Sequence, residues 1–400
     1  MNASLNDKLQ AVKWGEYEIE SLFEKLNLGF KKKVFDKEND VSTEKTDEFC
    51  LPLVNAKDGN NGIMYFGRAE DFDSAEFTID IVNDGAVSTG SVYSQPQRTG
   101  VLYNAYLIKP LCKVSPNILH FFACVIQKSI KHKFGYENKA GWAKVKQEKI
   151  QLPIKDGEID FDFIEEFISE LETQRLASLS AYLKANGYNN YELSAEELDA
   201  LHRFSSLEDR NWGTYKVGTL FERVETKKLP YKAKELPKQP TDGYVLPCLT
   251  SSFQNQGLNY YAPKAGATVL SNVISIPSNS DVYRAYYQSR EFTVLSDSYA
   301  IRWKSDKIKI SPNHYLFMVM CINKVTDLPI YSYKNKLGGW NVVKGKYIRL
   351  PEKDGKIDFA FMETFISAIK KLAIKDVVLY SDQKIAATKA ITSAHTCEIM

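Results

Sequence analysis

Apolar and polar positions along this chain follow two rhythms, and the switch between them happens twice. After Trp14, apolar residues come in strand-length runs, FCLPLVNA, NGIMYFG, FTIDIV and VLYNAYLI, separated by Asn-Gly, Asn-Asp-Gly and Thr-Gly. Runs of that length bounded by turn residues predict short β-strands. Ser115-Pro116-Asn117 then opens ILHFFACVIQKSI, a helical run with Ser at its cap and Pro just inside. The order returns later: YVLPCLT, ATVLSNVISI, FTVLS and YAIRW predict strands, and Ser311-Pro312-Asn313 opens HYLFMVMCINKV. Met1 to Lys13 reads as a polar lead, and the charged stretch Asp36 to Asp47 as a surface loop.

Two longer helical patterns close the two halves. Phe161 to Ala185 reads as one helix: Ile164, Phe167, Ile168 and Leu171 form an apolar stripe, which Leu176, Leu179 and Leu183 resume one residue out of phase. Asn186-Gly187 ends it. Ser194 to Phe204 predicts a shorter helix with a Ser-x-x-Glu capping box. Near the C-terminal end, Met362, Phe365, Ile366, Ile369 and Leu372 make a matching stripe. Each stripe is polar on its other face and needs a partner, and the simplest arrangement is an antiparallel pair of the two helices.

The halves are copies. LPIKDGEIDFDFIEEFISELE, Leu152 to Glu172, is written again 198 positions later as LPEKDGKIDFAFMETFISAIK, Leu350 to Lys370. Trp14-Gly15, Leu22-Phe23-Glu24 and Trp142 return at the same offset as Trp212-Gly213, Leu220-Phe221-Glu222 and Trp340. One register held over about 150 residues is an internal duplication. The middles differ: Lys25–Phe49 and Asn55–Tyr103 share little with Arg223–Tyr244 and Thr250–Ser296. The fold class is therefore α+β, two tandem domains of mixed β-sheet with helices, joined by long helices forming an antiparallel pair. The expected boundaries are 1–158, 159–211, 212–356 and 357–400. A kept scaffold with divergent loops suits a recognition module with two targets.

Charge sharpens this picture. The net charge of +2 hides a connector, Glu158 to Arg210, with 13 acidic and 4 basic side chains, beside bodies carrying 48 basic and 37 acidic ones. Basic bodies suit a polyanion. Before each Leu-Pro lies a basic, aromatic-containing segment with glycine. The first places Lys131, Lys133, Lys139, Lys144 and Lys146 around Trp142; the second places Lys334, Lys336, Lys344 and Lys346 around Trp340. Such ammonium groups suit phosphate contacts, and the tryptophans either wedge against sugar or sit in the cores. Catalytic signatures are missing: the sequence has no Gly-rich phosphate loop, G-x-S-x-G, H-E-x-x-H or zinc-spaced Cys/His set. His120 and His314 read as core or helix-end residues, and Cys124 and Cys321, in apolar runs, as buried thiols. The N-terminal residues carry no apolar signal core and the longest apolar runs, about nine residues, are far short of a span. The expected location is the cytoplasm.

Two bodies with divergent middles, each closing through x-LP-x-x-x-G-x-I-D-F into a helix, resemble the specificity (S) subunits of type I restriction-modification systems. The resemblance extends from Trp14 to about Leu372. It implies two target recognition domains, each reading half of a split, asymmetric duplex DNA target. It implies two methyltransferase subunits as partners, with a nuclease subunit or a fused methylase-nuclease, and no membrane. Ile164, Phe167, Ile168, Leu171, Met362, Phe365, Ile366 and Ile369 become the candidate partner-docking residues. No cofactor belongs to this chain; S-adenosylmethionine and Mg²⁺ belong to the partners. The segment ANGYNNYELSAEELDALHRF looks more like the type IIB variety. The competing class is a standalone duplicated binding module for a carbohydrate or protein ligand.

Overall fold

The structure, a computed structural model, describes residues 3–206 and 211–397. Residues 207–210 of the expected spacer and 398–400 of the expected C-terminal region lie outside the described residues. The chain divides into two compact units, Met1–Leu179 and Ser180–Met400.

The first unit begins with α1 (Ala3–Ala11), β1 (Lys13–Glu18), β2 (Phe23–Lys25), α2 (Lys37–Asp40), β3 (Val41–Ser42), β4 (Leu51–Val54) and β5 (Ile63–Gly67). It continues through β6 (Thr78–Val82), β7 (Val92–Gln95), β8 (Gly100–Val101) and β9 (Ala105–Pro110) to α3 (Pro116–Ile130) and α4 (Trp142–Val145). β10 (Lys149–Lys155) and β11 (Glu158–Ile159) then feed α5 (Phe161–Ala185), inside which the division between units falls. Its strands form three sheets, ordered β1-β10-β11, β2-β9-β6-β7 and β3-β5-β4-β8. All pairs are antiparallel except β4–β8, which is parallel.

The second unit has α6 (Ala195–Ser206), β12 (Trp212–Lys216), α7 (Val217–Leu220), β13 (Phe221–Arg223), β14 (Leu246–Leu249) and β15 (Leu258–Ala262). β16 (Val273–Pro277), β17 (Tyr286–Gln288), β18 (Thr293–Val294) and β19 (Ser298–Trp303) precede α8 (Pro312–Thr326), α9 (Trp340–Val343), β20 (Tyr347–Lys353), β21 (Lys356–Ile357) and α10 (Phe359–Cys397). Its sheets are β12-β20-β21, β13-β19-β16-β17 and β15-β14-β18. The duplication therefore runs through the middles that look unrelated in sequence. β14 pairs antiparallel with β15 and parallel with β18, as β4 does with β5 and β8, and each hairpin shifts register at the same step, Leu53/Val54 and Cys248/Leu249.

The repeated anchor has a local cause at every position. Ile150, Leu152 and Pro153 are the buried residues of β10, and Ile348, Leu350 and Pro351 those of β20. Asp156-Gly157 and Asp354-Gly355, all at positive φ, make the two-residue turns that join β10 to β11 and β20 to β21. Asp160 and Asp358 then accept 2.9 Å hydrogen bonds from the backbone of Phe163 and Phe361, starting α5 and α10. In the first unit α3 packs Ile118, Leu119, Phe122, Ile126 and Ile130 against Ile79 and Ile81 of β6. Burying each such side chain contributes about 1.5–3 kcal/mol. The second unit repeats this core with Phe317, Met318 and Ile322 of α8 against Ile274 and Ile276.

Several expectations change. Met1 to Lys13 holds α1, whose Lys8 pairs with Glu170 of α5 at 2.5 Å. Asp36 to Asp47 is a loop only beyond Ser42: Asp36 caps α2 by accepting from Glu38 N, and β3 follows. Asp40 is buried there because Arg68 and Lys32 lie beside it and the neighbouring buried Asp71, Lys32 meeting Asp71 at 2.6 Å. Cys124 is exposed, facing away from the apolar side of α3. Cys321 is half-buried, and burial pushes its thiol up to about 12. His314 is a buried helix-end residue in the capping box of α8, whereas His120 is exposed on α3 with Nδ1 against Ser94 Oγ. Among the described residues, no helix is long and apolar enough to cross a membrane.

The apolar stripes already have partners inside their own units. Ile164 lies in the first unit's core, with Phe167 buried and Ile168 and Leu171 half-buried. Met362, Phe365 and Ile366 lie in the second unit's core, with Phe204 of α6 stacked on Phe365 at 4.3 Å; Ile369 is exposed. One carboxylate fixes each long helix to its body. Glu165 accepts from Ser115 and from Asn117 at 2.7 Å, and Glu363 accepts from Ser311 and from Asn313 at 2.7 Å. The Ser-Pro-Asn turn that starts α3 or α8 thus clamps α5 or α10.

Candidate nucleic-acid interface

The two basic segments occupy equivalent places. Ile19 N and Glu20 N donate to Glu148 O and Lys146 O at 2.9 Å, and Val217 N and Gly218 N donate to Lys346 O and Lys344 O at 2.9 Å. Through these bonds Lys146 and Lys344 coincide; one turn earlier Asn138 and Asn335 close equivalent turns, and there Lys139 and Lys336 coincide, each over the equivalent tyrosine ring, Tyr136 at 4.4 Å and Tyr333 at 4.9 Å.

The remaining partners of these lysines differ. In the first unit Lys131, at the end of α3, donates to Val87 O, Thr89 O and Ser91 Oγ and ties down the loop before β7. Lys133 pairs with Glu148, Lys139 with Asp84, Lys146 with Glu20 at 2.6 Å, and Lys144 donates to Asn138 at 2.7 Å. In the second unit Lys346 donates to the Tyr331 hydroxyl at 2.9 Å and Lys336 lies over the Tyr333 ring at 4.9 Å. Lys334 and Lys344 are exposed, and among the described residues neither has an ion-pair partner. Exposed ion pairs are worth about 0–1 kcal/mol, so phosphate readily replaces a carboxylate there. Trp142 and Trp340 start α4 and α9 half-buried, edge-on to Tyr106 at 6.2 Å and tilted against Tyr299 at 6.5 Å. Packing in the cores positions both rings.

A second, more regular feature escapes a search at one offset. The turns joining β4 to β5 and β14 to β15 each place three successive residues in the left-handed region: Asn60, Asn61 and Gly62 at φ 47, 51 and 75°, and Asn255, Gln256 and Gly257 at φ 46, 55 and 92°. Each non-glycine residue so placed stores about 1–2 kcal/mol. Both turns rest on the same two side chains. Gln95 Nε2 donates to Asn61 O at 2.7 Å, and Gln288 Nε2 donates to Gln256 O at 3.0 Å. The Tyr93 hydroxyl accepts from Gly59 N and the Tyr286 hydroxyl donates to Phe253 O, both at 2.9 Å, meeting the equivalent peptide unit from its two sides. The sequence signal is Asn-x-Gly followed by Tyr-x-Gln, present in both middles at offsets of 195 and 193 rather than 198.

What lies under the turns is not shared. Position 80 of β6 corresponds to 275 of β16, since they face Leu107 and Ala300 in the equivalent β9 and β19 registers. Ser275 Oγ accepts from Gln288 Nε2 at 2.9 Å. Asp80 is fully buried beneath Gly62, and neither carboxyl oxygen has a hydrogen-bond partner among the described residues. Burial pushes its pKa well above the usual carboxylate range. Among the described residues no group of three or more His, Cys, Asp or Glu is placed to hold a metal ion.

Two copies of one frame, each presenting basic and carboxamide side chains from loops over a shared brace, define a duplicated recognition module. The chain belongs to the family of type I restriction modification DNA specificity domains, whose sequence profile matches residues 11–181 and 209–380. It is a specificity subunit of a restriction-modification system, in a family of non-catalytic DNA-recognition subunits that assemble with other chains. It is similar to the Type II restriction enzyme BgcI specificity subunit S.BcgI of Heyndrickxia coagulans, 24% identical over 350 residues, 82% of this chain and 94% of that one. It shares its fold with the type I restriction-modification system S subunit from M. genitalium, with a TM-score of 0.52 and 15% identity over 96% of this chain and 95% of that one.

Proposed function

We propose that this specificity subunit reads a bipartite, asymmetric duplex target, one half per unit, and docks methyltransferase and nuclease subunits. The observation that carries the reading is the pair of equivalent braced turns bearing unlike exposed side chains, one frame prepared for two targets. In this reading residues 1–158 and 212–356 are the target recognition domains, 159–211 the spacer and 357–400 the C-terminal helical region. Two methyltransferase subunits, with a nuclease or fused methylase-nuclease, bring S-adenosylmethionine and Mg²⁺. Similarity to a type II specificity subunit favours the fused, type IIB arrangement. Docking falls to the helix surfaces left outside the cores, such as the exposed Ile369, Leu372, Val377 and Tyr380 of α10.

In this reading the length of α5 sets the spacing of the half-sites. The 25 residues of α5 span roughly 37 Å at about 1.5 Å each, close to one turn of B-DNA, about 34–36 Å. The test is selection of bound duplexes from a random library, with and without a heptad inserted in α5 between Leu171 and Leu183. The parent should select two unlike short sequences around an unread gap. The heptad, adding roughly 10 Å, should lengthen that gap by about three base pairs. A contiguous target, or a gap unchanged by the insertion in a folded, DNA-bound variant, refutes it.

A further inference from the structure

We infer that the two left-handed turns are the base-reading tips of the subunit, and that the second reads A·T pairs through Gln254, Asn255 and Gln256 with Phe253. The inference rests on the two-half-site reading above and deepens it by assigning residues. Its first support is retention of strain. Four non-glycine residues are held left-handed at the same place in two units whose middles have otherwise diverged, and sustained strain of this kind marks functional positions. Its second is the brace. Equivalent Gln and Tyr side chains, on β7 and β17, hold the turn backbone in both units and touch side chains, Asn61 and Asp58, only in the first, so the second tip's residues can change without moving the tip. That is the requirement for a reader that keeps its frame and changes its target.

The third support is the chemistry at the tips. Gln254, Asn255 and Gln256 are exposed, and among the described residues their carboxamides have no hydrogen-bond partner. Phe253, beside them, is 51% exposed. Carboxamides match the N6/N7 pair that adenine shows in the major groove, and an aromatic ring matches the thymine methyl. The first tip differs. Asn61 is tied back to Ser94 O at 2.9 Å and to Gln95, and Asn60 Nδ2 donates to Ile63 O at 2.9 Å, leaving Oδ1 of the exposed Asn60 without a hydrogen-bond partner among the described residues. An acceptor alone suits the N4 amino group of cytosine or the N6 amino group of adenine. One frame thus presents two different hydrogen-bonding faces.

The experiment selects duplexes from a random library with the full chain and with three variants. The combined Gln254→Ala, Asn255→Gly and Gln256→Gly variant removes the carboxamides while glycine relieves the backbone, and Asn60→Gly does the same in the first unit. The combined variant should lose adenine preference roughly tenfold to a hundredfold per contacted position in one half-site. The other half-site, the affinity for unrelated DNA and its salt slope should stay as in the parent. Phe253→Ala should relax thymine preference in that same half-site. If the parent selects a split sequence and all variants select it unchanged, or both halves relax together, the assignment of the tips is overturned. A parent that selects no sequence overturns the two-half-site reading, and this inference with it.

Discussion

Replacing Asp80 by Asn should stabilise the first unit at neutral pH and barely change it near pH 4. Asp80 is fully buried with both carboxyl oxygens unpartnered among the described residues, and burial raises its pKa well above the ordinary range. The folded unit therefore keeps the proton where the unfolded chain, with a pKa of about 3.9, has released it. Because the folded state binds more protons, stability falls as pH rises from the unfolded pKa towards the folded one. For a single site the slope in that window is about 1.4 kcal/mol per pH unit. An amide has the same shape and does not titrate. The stability gap in favour of Asp80→Asn should widen by about 1.4 kcal/mol per pH unit above about pH 4.5, and the pH at which widening stops reads the folded pKa. Urea titrations followed by hydrogen exchange of β6 and β9 peptides measure it. Peptides of β16 and β19, where Ser275 takes the place of Asp80, supply the internal control. A gap that stays constant between about pH 4.5 and about pH 5.5, or widens in favour of the parent, refutes the argument.

Glu363→Ala should cost about 1–2 kcal/mol in a thermal melt, since two charge-assisted hydrogen bonds are lost from a carboxylate that is 46% exposed. A double-mutant cycle with Ser311→Ala should show coupling, and strictly additive losses would remove the clamp from the account. Gly62→Ala should destabilise the first unit by about 2–4 kcal/mol, because φ is +75° and the added Cβ would stand 2.3 Å from Asp80 Oδ2; full stability in urea would contradict the packing described. Changing Lys334, Lys336 and Lys344 to Ala should weaken binding to all duplexes alike and lower the slope of log K against log salt by roughly one per lost contact. An unchanged slope means these lysines do not touch phosphate.

Where one residue's chemistry decides, the sequence was legible. The ends of α5, the starts of α3 and α8 at their serine caps and the Asp-Gly turns all follow from local capping and φ requirements. Elements stabilised by distant partners were not. α1 offers only Leu5 and Leu9 as large apolar residues, and its ion pair is on α5, 162 positions away. Asp40 looks like a loop residue until Arg68 and Lys32 are brought beside it. The twin turns were hidden because insertions move the repeat offset from 198 to 195, 193 and 196 before it returns to 198 by Trp142 and Trp340. Strand pairing preserves the equivalence that a fixed offset loses. Stripes on α5 and α10 were visible, and Ile164, Met362, Phe365 and Ile366 lie in the cores of their own units, since periodicity shows which face is buried and not by what.

The clamps at Glu165 and Glu363 fix rotation as well as position. A helix held to its body at one carboxylate on one face cannot turn about its axis, so whatever follows along α5 leaves at an angle set by residue count. Each inserted residue would advance that angle by about 100°, whereas a heptad returns to within about 20° of the starting phase. DNA has its own phase, one turn per 10–10.5 base pairs. Length changes in α5 that suit the duplex must satisfy both periodicities together, so gap lengths available to such subunits should come in steps rather than as a continuum.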